Sequence, residues 1–222
     1  SRAQSREHNR DCYLVDLRNH GASGHHNTDM SLRSMGFDLF TFLDDQGIEK
    51  CDLLGFSLGG KVSMSACLIP EIQGHFDANE RIRRLIVGDI APVKYNSEDW
   101  DIPDVLGALN ALDQHVKSGS LSKRSEADEI LKQNGIQSDG VRNFLLTNLD
   151  RSQNNEFFWK FNLQGLTNNV TDIADFPFHP EDKATNPYTP FTNPTLFIVG
   201  EKSRLAQMQS AKVSAIVNDF FP

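Results

Sequence analysis

Ser57 is the side chain of this sequence best set for covalent chemistry. It stands in Gly55-Phe56-Ser57-Leu58-Gly59-Gly60, entered by the apolar run 51–54 and left by a helix-prone stretch, 61–68. Strand, sharp turn, then helix is the context in which G-x-S-x-G becomes a nucleophile elbow. The flanking Gly55 and Gly59 fit such a turn because a side chain at either would collide with the neighbouring strand or helix. The turn lifts the Ser57 hydroxyl clear of the sheet, above a helix N-terminus. There the Leu58 backbone N–H is placed to donate to a developing oxyanion. The chemistry implied is attack of a serine oxygen on an acyl carbon.

A serine of this kind needs an acid and a histidine, which in this architecture follow it in the order Ser, acid, His. Acids fall at strand ends at Asp89 and Glu201. Asp89 closes an apolar run. Glu201 lies early in Gly200-Glu201-Lys202-Ser203-Arg204, just after the last apolar run. Both acids stay open on these grounds, and Asp89 has the competing role of capping the turn 90–93. The seven histidines are His8, His20, His25, His26, His75, His115 and His179, and none follows the last recognisable strand. The triad base is therefore expected to be absent from this chain. His20 reads as a hydrogen-bonded loop histidine. His25-His26 have no third ligand spaced for a metal. His179 lies on an irregular path before the last strand, and His75 and His115 carry less support.

The elements that must position these residues alternate strand and helix. Apolar strand-like runs occur at 12–16, 52–56, 85–89 and 195–200, and the last carries Thr195-Leu196-Phe197-Ile198-Val199-Gly200. Residues 35–46 space Phe37, Leu39-Phe40 and Phe42-Leu43 as a helix face, with Gly47 as a C-cap. Residues 1–10 read as the end of an earlier helix. Between 91 and 190 no strand is expected; helices are predicted over 105–117, 125–133, 140–148 and 163–174. The path 176–194 is broken by Pro177, Pro180, Pro187, Pro190 and Pro194. The expected fold is α/β, a mostly parallel sheet with a helical cap inserted after the Asp89 strand and its terminal strands missing. That assigns 1–91 and 191–222 to an incomplete core and 92–190 to a cap or lid. The aromatics Phe157-Phe158-Trp159 and Phe161 in that cap suit either a pocket or packing.

Composition narrows the partners. The 222 residues carry a net charge of −8 with no basic stripe, which argues against nucleic acid and anionic membrane surfaces. No apolar run is long enough to span a membrane. The three cysteines, Cys12, Cys51 and Cys67, are widely spaced and read as free, mostly buried thiols. No metal or organic cofactor is implied.

Four motifs in order resemble the α/β-hydrolase superfamily, and within it an esterase-like branch with mitochondrial fungal and animal members and small bacterial esterases. They are Asp16-Leu17-Arg18-Asn19-His20-Gly21-Ala22-Ser23, the elbow Gly55–Lys61, Asp89-Ile90-Ala91-Pro92-Val93, and Leu145-Leu146-Thr147-Asn148-Leu149 with Trp159-Lys160-Phe161-Asn162-Leu163. Phe56 stands where this branch usually has histidine, a change of polarity beside the acyl pocket. The resemblance implies Ser57 as nucleophile, Asp89 as acid, and a small acyl ester or thioester as substrate. Fungal relatives that make acetate esters add a short alcohol as a second acceptor beside water. The resemblance also implies a mitochondrial location, with the cytoplasm as alternative. The first strand then corresponds to the family's fourth, so one oxyanion loop is expected to be missing upstream. A chain lacking that loop and the histidine is expected to be nearly inactive, and one whose terminal strands are missing is expected to be poorly soluble, because unpaired backbone and apolar surface are exposed. The alternative of another class is a catalytically inactive α/β-hydrolase-like binding or interaction protein.

Overall fold

Runs rich in Leu, Ile and Val form strands here wherever a neighbouring strand pairs with them. The structure is a computed structural model that describes residues 2–5, 10–27, 29–70, 77–96, 100–204 and 210–222. The elements are, in order, β1 (Arg2–Ser5), β2 (Arg10–Tyr13), α1 (Leu32–Asp45), β3 (Cys51–Phe56), α2 (Leu58–Leu68), α3 (Ala78–Arg81) and β4 (Ile82–Gly88). Then come α4 (Ile102–Lys117), α5 (Arg124–Gln133), α6 (Asp139–Leu146), β5 (Leu149–Arg151), β6 (Phe157–Trp159), α7 (Leu163–Asn168), α8 (Val170–Ala174), β7 (Thr195–Ile198) and α9 (Ala211–Phe220). The chain forms two units, one of Ser1–Asn27 with Ala108–Gly165 and one of Thr28–Gly107 with Leu166–Pro222.

The second unit holds the parallel sheet, three strands in the order β3-β4-β7. Its register sets Leu54 beside Ile86 beside Leu196, and Phe56 beside Gly88 beside Ile198. Because side chains alternate across a strand, the sheet has two unlike faces. One is packed: Leu85 and Val87 are fully buried, and α2 is buried along residues 60–68. Against α2 lies α1, whose Gly36 approaches so closely that a Cβ there would sit 3.2 Å from the Ala66 Cα. From α9, Val213 and Val217 pack with Ala91, Val93 and Phe197. The opposite face is open: Leu54 is 70% and Phe56 68% exposed, and Leu196 and Ile198 are exposed beside them. The irregular path 176–194 is held by an aromatic cluster, in which Phe176 and Tyr188 both pack on Phe220 at 5.8 and 4.8 Å between ring centroids.

α1 starts three residues earlier than its hydrophobic spacing predicts, because Ser31 caps it by accepting from the Ser34 N–H. Its C-terminal end is as expected, with Gly47 in the left-handed region at φ +63° and its N–H bonded to Asp44 O.

The first unit corrects two expectations. Residues 2–5, expected to belong to the end of a helix, instead form β1, which pairs antiparallel with β2 in a two-stranded sheet, Arg2 opposite Tyr13 and Ser5 opposite Arg10. The strand expected over 12–16 ends at Tyr13, and Leu14 and Val15 beyond it are exposed. Polar residues such as Arg2 and Gln4 carry no strand alternation, so only the pairing reveals β1. The second correction is the hairpin β5–β6, where no strand was expected. Its strands are three residues long, too short for a period-2 pattern. The helices α4, α5 and α6 fall within a few residues of expectation. Arg142 of α6 is buried and tied to Asp128, Asp139 and the carbonyls of Ile136 and Gln137. The free thiols include an exposed one, Cys12, with Cys67 fully buried.

Candidate active site

β3 and β4 end side by side, and the two candidate residues follow them directly. Ser57 comes after Phe56, Asp89 after Gly88, and the Ser57 N–H donates to Gly88 O at 2.9 Å. Both have left-handed backbones, Ser57 at φ +51°, ψ −120° and Asp89 at φ +56°. Such torsions in a residue with a side chain cost on the order of 1–3 kcal/mol and persist only where the surroundings enforce them.

The enforcement is a close crossing of the turn on itself. A Cβ at Gly55 would lie 2.2 Å from Gly59 O, and one at Gly60 would lie 2.7 Å from Ile90 Cγ2. Gly59 itself has nothing within 4 Å of such a Cβ. The expected collision at Gly59 is therefore corrected: the backbone oxygen of Gly59 crowds Gly55, and the glycine that α2 needs for clearance is Gly60. The Ser57 hydroxyl does not cap α2, although Ser57 occupies the N-cap position. Leu58 opens the helix, with its N–H among those that an α-helix leaves without an internal partner.

Asp89 is held from its other flank by β7. Its N–H donates to Ile198 O at 2.8 Å, and its Oδ1 accepts the Gly200 N–H at 3.0 Å. The carboxylate thus bonds across to the end of β7 instead of capping its own turn. Glu201 is exposed in the tight turn after Gly200, which the Ser203 N–H closes by donating to Gly200 O at 2.9 Å. Phe56 lies on the open face of the sheet, its ring over Gly88.

Three of the described histidines face partners of their own. His20 Nδ1 is 3.0 Å from Arg18 O, and His115 Nδ1 is 3.1 Å from Ser120 Oγ. His179 Nε2 faces Asp175 at 4.0 Å. His25 and His26 are exposed in the loop around Gly24, and His8 and His75 lie outside the described residues. Among the described residues no group of three or more His, Cys, Asp and Glu could hold a metal, and no helix is long and apolar enough to cross a membrane. The aromatic run sits on a strand and pairs locally: Trp159 stacks on Phe161 at 5.1 Å and its Nε1 donates to Asp113, while Arg151 lies over Phe157.

Sequence reasoning gave Lys61 no role of its own. It is buried on α2, its Nζ 2.7 Å from Ala174 O and 3.2 Å from Ile173 O. Burial pulls its pKa down to about 7, and the nearby Asp175 carboxylate pulls it partly back. The available signal was a lone cation inside an otherwise small and apolar helix.

Known proteins resemble this chain. The chain is 34% identical over 194 residues to a protein of Mus musculus named sn-1-specific diacylglycerol lipase ABHD11, covering 87% of this chain and 56% of that one. It is 27% identical over 225 residues to ethanol acetyltransferase 1 of Cyberlindnera fabianii, covering 95% of this chain and 62% of that one. It thus spans a little over half the length of these relatives. Among solved structures, a marine microorganism esterase superposes with a TM-score of 0.78 at 29% identity, covering 96% of this chain and 73% of that one. The sequence also matches the model of the alpha/beta hydrolase fold family over residues 3–217, so the chain belongs to that family.

Proposed function

We propose that this protein is a serine esterase or thioesterase, or an alcohol acyltransferase, that works through an acyl-enzyme on Ser57. The observation that carries the reading is the strained, uncapped Ser57 at φ +51°, seated beside Asp89 at the ends of adjacent strands. Ser57 Oγ adds to the carbonyl carbon of a small ester or thioester and gives its proton to an imidazole. The tetrahedral oxyanion takes the Leu58 N–H. On collapse, the bond to the alkoxide or thiolate breaks and the leaving group recovers that proton. Water or a short alcohol then attacks the acyl-serine and releases acid or a new ester. Asp89 orients the imidazole in this scheme; the imidazole itself is not assigned to a residue of 1–222. The names of the Mus musculus, Cyberlindnera fabianii and marine relatives support ester substrates and leave the acceptor open between water and alcohol. A mitochondrial site of action is part of the proposal, tested by imaging the tagged full-length protein.

The decisive experiment measures p-nitrophenyl acetate hydrolysis by the native full-length protein and its Ser57→Ala variant. In parallel, acetyl-CoA with ethanol tests ester synthesis. The variant is expected to lose at least about 10⁴-fold in kcat. Retained turnover in Ser57→Ala would remove Ser57 from the mechanism, and an inert wild type would favour a binding role.

A further inference from the structure

We propose that Lys61 is a positioning residue, pinning the loop after Asp89 to the helix after Ser57 so that the two keep their offset. The inference rests on the acyl-enzyme reading of Ser57 and Asp89. Lys61 is only 2% exposed, and a side chain that carries charge into an interior must find partners there. It finds three. Two are the carbonyls of Ile173 and Ala174, in the last turn of α8. The third is the ring of Tyr95, whose centroid lies 4.7 Å from Nζ, within cation–π range.

Those partners close a circuit that returns to Asp89. The Tyr95 N–H donates to the same Ala174 O at 3.0 Å. The Tyr95 hydroxyl accepts the Ala91 N–H at 3.0 Å, two residues beyond Asp89. On the other side, the Lys61 N–H donates to Ser57 O at 3.1 Å, and Gly60 lets Ile90 press against the first turn of α2. Lys61 therefore joins the serine turn, the acid loop and the end of α8 through one side chain. An apolar residue could fill the volume, but it could not fix the loop in direction. Reacting groups lose on the order of 100-fold in rate for a displacement of about 1 Å, so the circuit bears directly on catalysis.

The test uses the native full-length protein, a fluorophosphonate probe and the variants Lys61→Met, Lys61→Arg and Tyr95→Phe. Ser57 Oγ displaces fluoride from the probe phosphorus, and the second-order rate constant is taken per titratable site. This leaves unfolded protein out of the measurement. Lys61→Met is expected to label about 10- to 100-fold more slowly, with faster hydrogen exchange at the Tyr95 amide. Lys61→Arg should recover part of that loss. Tyr95→Phe, which keeps the ring and cuts the Ala91 bond, should slow labelling in the same direction and combine with Lys61→Met less than additively. Wild-type rates in both Lys61→Met and Tyr95→Phe would overturn the positioning role alone. A wild type that does not label at Ser57 would overturn the acyl-enzyme reading, and the positioning role with it.

Discussion

Asn19 and Ser57 hold almost the same unusual backbone angle, φ +64° and φ +51°, for opposite reasons. Asn19 is fully buried, and its side-chain oxygen accepts from the His26 N–H at 2.7 Å and from Asn162 Nδ2 at 3.1 Å. Around it the Asn19 N–H bonds Gly24 O, Asn162 N–H bonds Asn19 O, and Asp16 takes the Ala22 N–H. The side chain there explains the strain, because its bonds organise a loop. Ser57 is strained as well, but its hydroxyl contributes no cap to the helix it begins. Strain whose side chain is consumed by structure marks a joint; strain whose side chain is left unspent marks a place for chemistry. Asp89, at φ +56° with one oxygen on Gly200, lies between these extremes.

That contrast can be broken at several levels. The largest effect is expected at Asp89. Asp89→Asn should reduce ester turnover on the order of 10³- to 10⁴-fold at unchanged melting temperature, by steady-state kinetics beside a thermal melt. Activity within a few-fold of wild type would move the acid to Glu201. Next comes Lys61. Its folded pKa, about 7, lies below its ordinary 10.5, so between these values the unfolded chain holds a proton that the folded chain has released. Stability of the wild type relative to Lys61→Met should therefore be flat below pH 7 and rise from pH 7 toward 10.5, by a few kcal/mol at the order of magnitude. Urea melts of both proteins at pH 6.5, 8 and 9.5 would show it, and parallel curves would refute it.

The smallest effects are the sharpest test, because one replacement is predicted to act with opposite signs. Asn19→Gly relieves backbone strain but deletes two half-buried hydrogen bonds, for a net loss of about 1–2 kcal/mol. Ser57→Gly relieves strain and deletes nothing structural, for a gain of about 1 kcal/mol with activity gone. If both glycines shift urea midpoints the same way, the distinction between joint and reactive site fails.

Much of this was legible beforehand, for reasons visible in particular residues. β3, β4 and β7 could be read because each carries an apolar stretch, Leu53-Leu54, Leu85-Ile86-Val87 and Leu196-Phe197-Ile198, and α5 and α6 because their spacing is helical and their starts are polar. β1 could not, since Arg2 and Gln4 become strand residues only by pairing with Tyr13 and Asp11. β5 and β6 could not, since three residues give no period. At the site, the serine and the acid stood out by their place after strands. The choice of Gly60 over Gly59 for clearance did not, because it depends on where Ile90 arrives from a distant part of the chain. Lys61 escaped for the same reason: its three partners come from residues 95, 173 and 174.

The uncovered face of the parallel sheet has a thermal consequence. Sheets of this kind are normally covered on both sides, whereas here Leu54, Phe56, Leu196 and Ile198 meet water. Near room temperature, removing such surface from water is driven by entropy and lowers the heat capacity. Residues 1–222 on their own should therefore stay dispersed in the cold and turn cloudy as they are warmed, below the temperature at which the fold itself melts. Sulfate should bring the cloud point down, because it is excluded from the protein surface and strengthens burial.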